Sequence, residues 1–337
     1  MVLHINLTLA IPYIPKSACE SFNEISFLQT LQRASVDSLS KYRTCVFYHP
    51  TRRPQLEDMA NKDHWSAEKY KAAADYVPQL ATKVTQYLDP QPGDNILDIG
   101  CGDGQLTSMI AQSVGPTGRV LGLDASPSFI KSAQSDNTVS HCSYALQDCT
   151  ALASNATAAS TLWDKAFSNA ALHWILNNEA TRSSFFADVF ALLKPGGTFV
   201  FEMGGKGNVA ELHAAFIAAL TTHGELSLAA ARAASPWFFP STEWMAQVLR
   251  AAGFKVEVCE SEYRPTKVTE EKVDGSGGIE GWVKLMGARF LEAVDGDEKR
   301  EKVVQAVCQW VEDIVLREED GTRWIGYVRL RAVGRKV

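Results

Sequence analysis

Ile96-Leu-Asp-Ile-Gly-Cys-Gly-Asp-Gly-Gln-Leu106 is the stretch from which the fold can be read. Residues 95–99 make a short apolar run of buried-strand type, and Leu106, Met109 and Ile110 give the next segment a helical apolar face. Asp98, Gly100, Gly102 and Gly104 stand between the two. Glycine takes positive φ and lets the backbone come close to a ligand, and a helix start offers unbonded N–H groups. Open α/β sheets bind ligands at the carboxyl ends of their strands. A dinucleotide fingerprint requires a third glycine at 105, where this chain has Gln105. The spacing is G-x-G-x-G behind an acid, which favours a zwitterionic ligand with a cationic end over a pyrophosphate. A tight turn without a ligand is the plainer alternative.

Outward from this point, strands and helices alternate. Strands are predicted at 120–123, 143–146, 162–167 and 198–203, with helices at 126–133 and around Phe186–Leu193, the latter stopping at Lys194-Pro-Gly-Gly197. Such alternation predicts an α/β fold, a doubly wound parallel sheet with right-handed crossovers. Upstream, Tyr70, Ala73 and Val77 lie at helical spacing, as do Leu80, Val84, Tyr87 and Leu88. The second half reads as helices over 208–222, 226–234, around Trp244–Leu249, 280–293 and 297–317, with a glycine-rich loop at 274–281. Strands are expected from Phe254 and over 324–333. In the last one Arg329 and Arg331 alternate with apolar residues, a pattern suited to an antiparallel strand with one polar face. The expected organisation is a loosely ordered extension at 1–58, a ligand-binding core at 59–205, and a helical region at 206–337 that also completes the sheet.

Bulk composition narrows the function. The chain has 337 residues, 46% hydrophobic and 21% charged, with net charge −6. That is ordinary globular composition, and without a dense Lys/Arg block it gives no reason to expect a nucleic-acid partner. No apolar run is long enough to cross a membrane. The seven cysteines form no CxxC pair or zinc spacing, which argues against a metal centre and suits reduced thiols in the cytoplasm. Residues 1–53 carry six Lys/Arg against three acids, a faint mitochondrial signal that Glu20 and Glu24 weaken.

Two further acids carry chemistry. Asp124 ends the second strand, 26 residues after Asp98. A carboxylate there can accept ribose hydroxyls, or it can serve as a helix cap in competition with Ser126. Asp148 ends the third strand and can face an adenine amino group or sit in a surface turn.

Together LDIGCGDGQ, VLGLDAS, QDCTAL, FSNAALHW and LLKPGGTFVF, in this order over about 95–203, resemble the class I S-adenosylmethionine-dependent methyltransferases. The resemblance implies a Rossmann-like seven-stranded sheet, mostly parallel with an antiparallel last strand, and S-adenosyl-L-methionine as cofactor. It places the cofactor against Asp98, Gly100, Cys101, Gly102, Gly104, Gln105, Asp124, Ala125, Asp148, Cys149 and Asn169. Within that superfamily Trp65–Tyr70, Asn169-Ala-Ala-Leu-His-Trp174 and the spacing of Trp282 to Arg289 are similar to the trans-aconitate methyltransferase group. His173 stands where that group has Gln.

The resemblance implies a small-molecule acceptor, with O-methylation of a carboxylate as the leading expectation. A carboxylate needs no base but does need a clamp, and Arg289 is the candidate, unless it lies on a solvated helix face. A phenol or hydroxyl would need a base, for which His173 is the candidate; the alternative is a histidine that only shapes the wall. Trp65, Tyr70, Trp174, Trp237 and Trp282 are expected to line the acceptor pocket. A cofactor-binding regulatory protein without catalysis is the competing expectation from another class.

Overall fold

Seven strands build the sheet: β1 Asn95–Ile99, β2 Arg119–Asp124, β3 Cys142–Leu146, β4 Trp163–Asn169, β5 Leu193–Gly204, β6 Phe254–Lys267 and β7 Trp324–Lys336. Their order is β3-β2-β1-β4-β5-β7-β6. The computed structural model describes Tyr70, residues 81–271 and residues 277–337, all within the unit Lys62–Val337. The expected extension at 1–58 and Trp65 lie outside the described residues.

Neighbouring strands from β3 across to β5 pair in parallel. β7 is inserted between β5 and β6 and runs antiparallel to both, so the last strand in sequence is not an edge. The chain starts at β1 and winds outward in both directions. This leaves a crevice at the carboxyl ends of β1 and β4, where the order reverses.

Both faces of the sheet are covered, which is why its central strands read as nearly continuous apolar runs. Phe199 and Phe201 of β5 join Phe185, Phe186 and Trp163 on one side. Val200 joins Ile96, Val120 and Phe167 under the helices Thr82–Leu88 and Gln105–Val114 on the other. Each of these side chains stabilises the fold by roughly 1.5–3 kcal/mol through burial. A third core, around Phe216, Val283, Phe290 and Val307, binds the helices Ala210–Thr222, Gly278–Met286 and Asp297–Val315 to one another.

Three local readings are corrected. The helix expected over 280–293 is broken at Gly287 into Gly278–Met286 and Ala288–Glu292. A Cβ at Gly287 would stand 2.1 Å from the Phe216 ring, so close packing selects glycine there and the helix ends. Of the loop expected at 274–281, residues from Gly278 onward are the first turn of a helix. The polar face of β7 does not meet water: Arg329 and Arg331 are 5% and 1% exposed, because Glu202 of the adjacent β5 takes them as partners.

Candidate active site

The glycine bend is fastened to β2 by its own backbone. Gly100 and Cys101 both donate their N–H to Leu123 O, at 2.7 and 2.9 Å. Gly102 then donates its N–H to Asp124 Oδ2 at 2.9 Å, while Ser126 N–H reaches Oδ1 at 2.9 Å. The bend and the carboxylate that ends β2 are therefore one unit.

A cavity of about 330 Å³ opens above this unit. Its cofactor-side lining includes Asp98, Gly100, Cys101, Gly102, Asp124, Ala125, Asp148, Cys149 and Asn169. Gly102 has φ +57° and nothing within 4 Å of where a Cβ would stand, so its bare backbone faces open space. Asn169, at the end of β4, keeps its buried Oδ1 without a hydrogen-bond partner. A buried acceptor left unbonded costs roughly 1–3 kcal/mol, and the ammonium of an amino-acid moiety would satisfy it. Next to it Ala170 sits at φ 57°, a conformation uncommon for residues with a side chain.

Asp98 is buried and accepts the Thr107 hydroxyl at 2.6 Å. Burial pushes its carboxyl up to about 7; the Thr107 bond lowers it and Asp124 adds to the rise. Cys101 and Cys149 are likewise pushed up by burial, so both line the cavity as neutral thiols. Asp148 is exposed at the rim and caps the next turn through Thr150 N–H at 2.9 Å. A bare glycine backbone, a hydroxyl-accepting carboxylate and unspent acceptors for an ammonium together fit S-adenosylmethionine.

Two expected cofactor residues are not in the cavity wall. Gly104 packs against the core: a Cβ there would stand 2.7 Å from Tyr144 and 2.8 Å from Ala133. Gln105 opens the helix with its side chain exposed.

On the acceptor side the cavity is lined by Tyr70, Trp174, Trp237 and Trp282, together with Phe239 and Met286. Trp237 touches Trp174 edge-on at 5.9 Å and Trp282 at 6.0 Å. Trp282 Nε1–H donates to the Tyr327 hydroxyl at 2.7 Å. Phe238, beside these residues in sequence, turns away and packs on Trp244 at 4.9 Å.

His173 lines the cavity and is buried, but its chemistry differs from that of a base. Its Nδ1 accepts the Gly204 N–H at 3.4 Å. A neutral imidazole that accepts at Nδ1 carries its proton on Nε2, so its other edge is a donor. Burial first, and the Arg329 charge second, hold its pKa well below the ordinary histidine value. Arg289 is exposed on Ala288–Glu292 and does not line the cavity, while its neighbour Phe290 takes the buried position and stacks on Phe216 at 4.6 Å.

Among the described residues, the cation that reaches the cavity is Arg329 of β7. Its Nε–H donates to Glu202 Oε1 at 2.9 Å. Glu202 also holds Arg331 at 2.6 Å and Arg264 at 3.1 Å. Burial alone would raise the Glu202 pKa, but Arg329, Arg264 and Arg331 override it and hold it low. Removing Glu202 alone would leave the buried Arg329 guanidinium without its carboxylate, a change worth on the order of 3–5 kcal/mol. Sequence reasoning missed Arg329, Tyr327, Phe239 and Asn208 as lining residues. For Arg329 a signal was present: a single acid inside Phe199-Val-Phe-Glu-Met203 requires a cation from a neighbouring strand.

Among the described residues no group of three or more His, Cys, Asp or Glu side chains is gathered as a metal ion would require, and no helix is long and apolar enough to cross a membrane.

Several known proteins are similar to this chain. The family described as a methyltransferase domain matches residues 96–197. An uncharacterized methyltransferase of Schizosaccharomyces pombe is 33% identical over 279 residues, covering 82% of this chain and 99% of that protein. A demethylmenaquinone methyltransferase of Symbiobacterium thermophilum is 31% identical over 110 residues, covering 33% of this chain and 42% of that protein. A solved methyltransferase from Anabaena variabilis superposes with a TM-score of 0.48 at 16% identity, covering 82% of this chain and 94% of that one. The chain belongs to the class I S-adenosylmethionine-dependent methyltransferases. It is an enzyme of that class.

Proposed function

We propose that this methyltransferase acts on a small-molecule acceptor and methylates a carboxylate oxygen. One observation carries the reading: among the described residues, the acceptor end of the cavity offers proton donors and no group placed to take a proton. His173 presents an N–H, Arg329 is a cation, and burial pushes the Tyr70 phenol far up. An acceptor that arrives already ionised suits such a wall.

The cofactor supplies a methyl group on a sulfonium. The carboxylate oxygen forms the new O–CH₃ bond as the S–CH₃ bond breaks, the bonding pair stays on sulfur, and no proton moves. The chain's contribution is then placement. Asp124, Gly102 and Asn169 fix one partner, the aromatic wall and the N–H groups of His173 and Arg329 fix the other, and good alignment is worth up to ~7–11 kcal/mol. The resemblance to the trans-aconitate group supports the carboxylate, and the enclosed aromatic wall supports a small acceptor over a macromolecule.

The test is chemical. Enzyme, isotope-labelled S-adenosylmethionine and a metabolite extract are incubated together, and products that gain one CH₂ are treated with mild base. An ester releases labelled methanol. A product that keeps its label as an ether would overturn the carboxylate reading, and label found only in macromolecules would overturn the small-molecule reading.

A further inference from the structure

We infer that Gly204 sets the size of acceptor that the cavity admits: its missing side chain is the space into which Phe239 leans, and through Phe239 it fixes the width of the acceptor end. The inference rests on the small-molecule reading of this cavity and does not depend on which acceptor atom is methylated.

The first argument is contact. Gly204 ends β5 and pairs with Arg329 of β7. A Cβ on Gly204 would stand 2.5 and 2.7 Å from two carbons of the Phe239 ring and 2.9 Å from Asn208 Nδ2. Carbon atoms in good contact sit ~3.5–4.0 Å apart, so a methyl group there requires the ring to move by about 1 Å. Gly204 itself does not line the cavity, whereas Phe239 and Asn208 both do. Gly204 is thus a positioning residue that acts through the side chains in front of it.

The second argument is where the ring can go. Phe239 stacks on Trp237 at 5.7 Å and meets His173 at 5.7 Å and His213 at 6.4 Å. Trp237 in turn packs on Phe216, Trp282 and Phe290, so it cannot yield. The backbone is pinned on both sides of Phe239: Phe238 N–H donates to His173 O at 2.9 Å, and Pro240 O accepts Lys206 N–H at 2.8 Å. Among the described residues, the open side left to the ring is the cavity. Bulk at position 204 therefore comes out of the acceptor's space.

The third argument is that nothing else at this position requires glycine. Gly204 is a strand residue outside the left-handed region, so its backbone suits any side chain. Its N–H donates to His173 Nδ1, and alanine would keep that bond and with it the donor edge of His173. What glycine supplies here is room. Gly104 and Gly287 supply room to the core, and Gly204 supplies it to a cavity wall.

The experiment follows labelled methyl transfer from saturating S-adenosylmethionine into the small molecules of a dilute metabolite extract, with products separated by mass. Four full-length proteins are compared: wild type, Gly204→Ala, Phe239→Ala and the double variant. Gly204→Ala is expected to lower transfer into the heaviest wild-type products by at least ~10-fold, the value of one methylene in a closed pocket. S-adenosylmethionine affinity, measured by calorimetry, should stay within about twofold, well under the ~1.4 kcal/mol of a tenfold change. In the Phe239→Ala background the ring is gone, and the same substitution should change transfer by less than about twofold; a loss through general destabilisation would be felt in both backgrounds. If Gly204→Ala does not fold, Phe239→Leu reads the same wall from the other side: it should widen the pocket and add heavier products, and an unchanged product spectrum would overturn the inference. It is also overturned if Gly204→Ala transfers label as wild type does, if its loss is equal in both backgrounds, or if cofactor affinity falls with it. Label confined to macromolecules would sink the small-molecule reading and this inference together. Labelled small molecules that form at the same rate in Gly204→Ala would sink this inference alone.

Discussion

The two ends of the cavity are built on opposite principles. The cofactor end is local: Gly100, Cys101, Gly102 and Asp124 come from two adjacent strand ends and hold one another through backbone N–H groups. The acceptor end is assembled from distant segments: His173 after β4, Trp237 before the helix Thr242–Ala251, Trp282 on the helix Gly278–Met286, and Arg329 on β7. A ligand common to a whole family can be held by backbone groups, which tolerate changes in side chains. A ligand particular to one member has to be read by side chains, and these converge only when the chain folds.

That contrast predicts deep losses at the first end and graded ones at the second. Gly102→Val should break the cofactor end most severely. It places a branched side chain at φ +57° in the cavity, and S-adenosylmethionine affinity measured by calorimetry should fall by ~100-fold or more. Asp124→Ala should cost about 10–100-fold, the value of one or two hydrogen bonds to a charged acceptor, and a variant that binds as wild type does would remove Asp124 from the site.

Asp98 gives the cofactor end a pH signature. Its folded pKa is about 7 and its ordinary value is 3.8, so the carboxyl is neutral below about 7 and ionised above. A cationic ammonium favours the ionised form. Affinity should therefore rise with pH toward a plateau above about 7 and fall by up to ~10-fold per unit below it. Stability runs with the opposite sign: the folded state holds a proton that the unfolded chain has released, so stability falls as pH rises from 3.8 toward 7. Asp98→Asn should flatten the affinity profile, and a slope that survives in this variant would point to another group.

At the acceptor end, His173→Gln should lower kcat by less than about 100-fold, the lower bound usual for a lost general base, and the wild-type rate should show no inflection near pH 6.5. A larger loss with such an inflection would make His173 a base. The smallest effect is expected for Arg289→Ala, whose side chain is exposed and outside the cavity: kinetics within about twofold of wild type, an energy below 0.5 kcal/mol. Set beside Arg329→Gln, this pair of variants tests which arginine serves the acceptor.

The legible parts of the molecule share one property. Strands expected at 95–99, 120–123 and 162–167 were visible as apolar runs because both faces of the sheet are buried; they are found at 95–99, 119–124 and 163–169. The glycine bend was visible because a sharp backbone path next to a ligand restricts residue type. Gly104 shows how that signal misleads, since a glycine selected by contact with Tyr144 looks the same in sequence as one selected by a ligand. Arg289 was a candidate because its spacing to Trp282 resembles a segment of the trans-aconitate group; beyond the break at Gly287 it lies on a solvated helix face, the alternative kept open for it.

Sequence alone determined the α/β architecture and a glycine bend suited to a zwitterionic ligand, because these rest on period, glycine and short-range spacing; the cofactor itself followed from the resemblance carried by the ordered motifs over about 95–203. The tertiary structure decided the acceptor pocket. Glu202 and Arg329 lie 127 residues apart and meet only because β7 inserts antiparallel beside β5. No local pattern records which strand will be the neighbour; that is set by how the sheet closes over its core, and the partner of a buried charge is set with it.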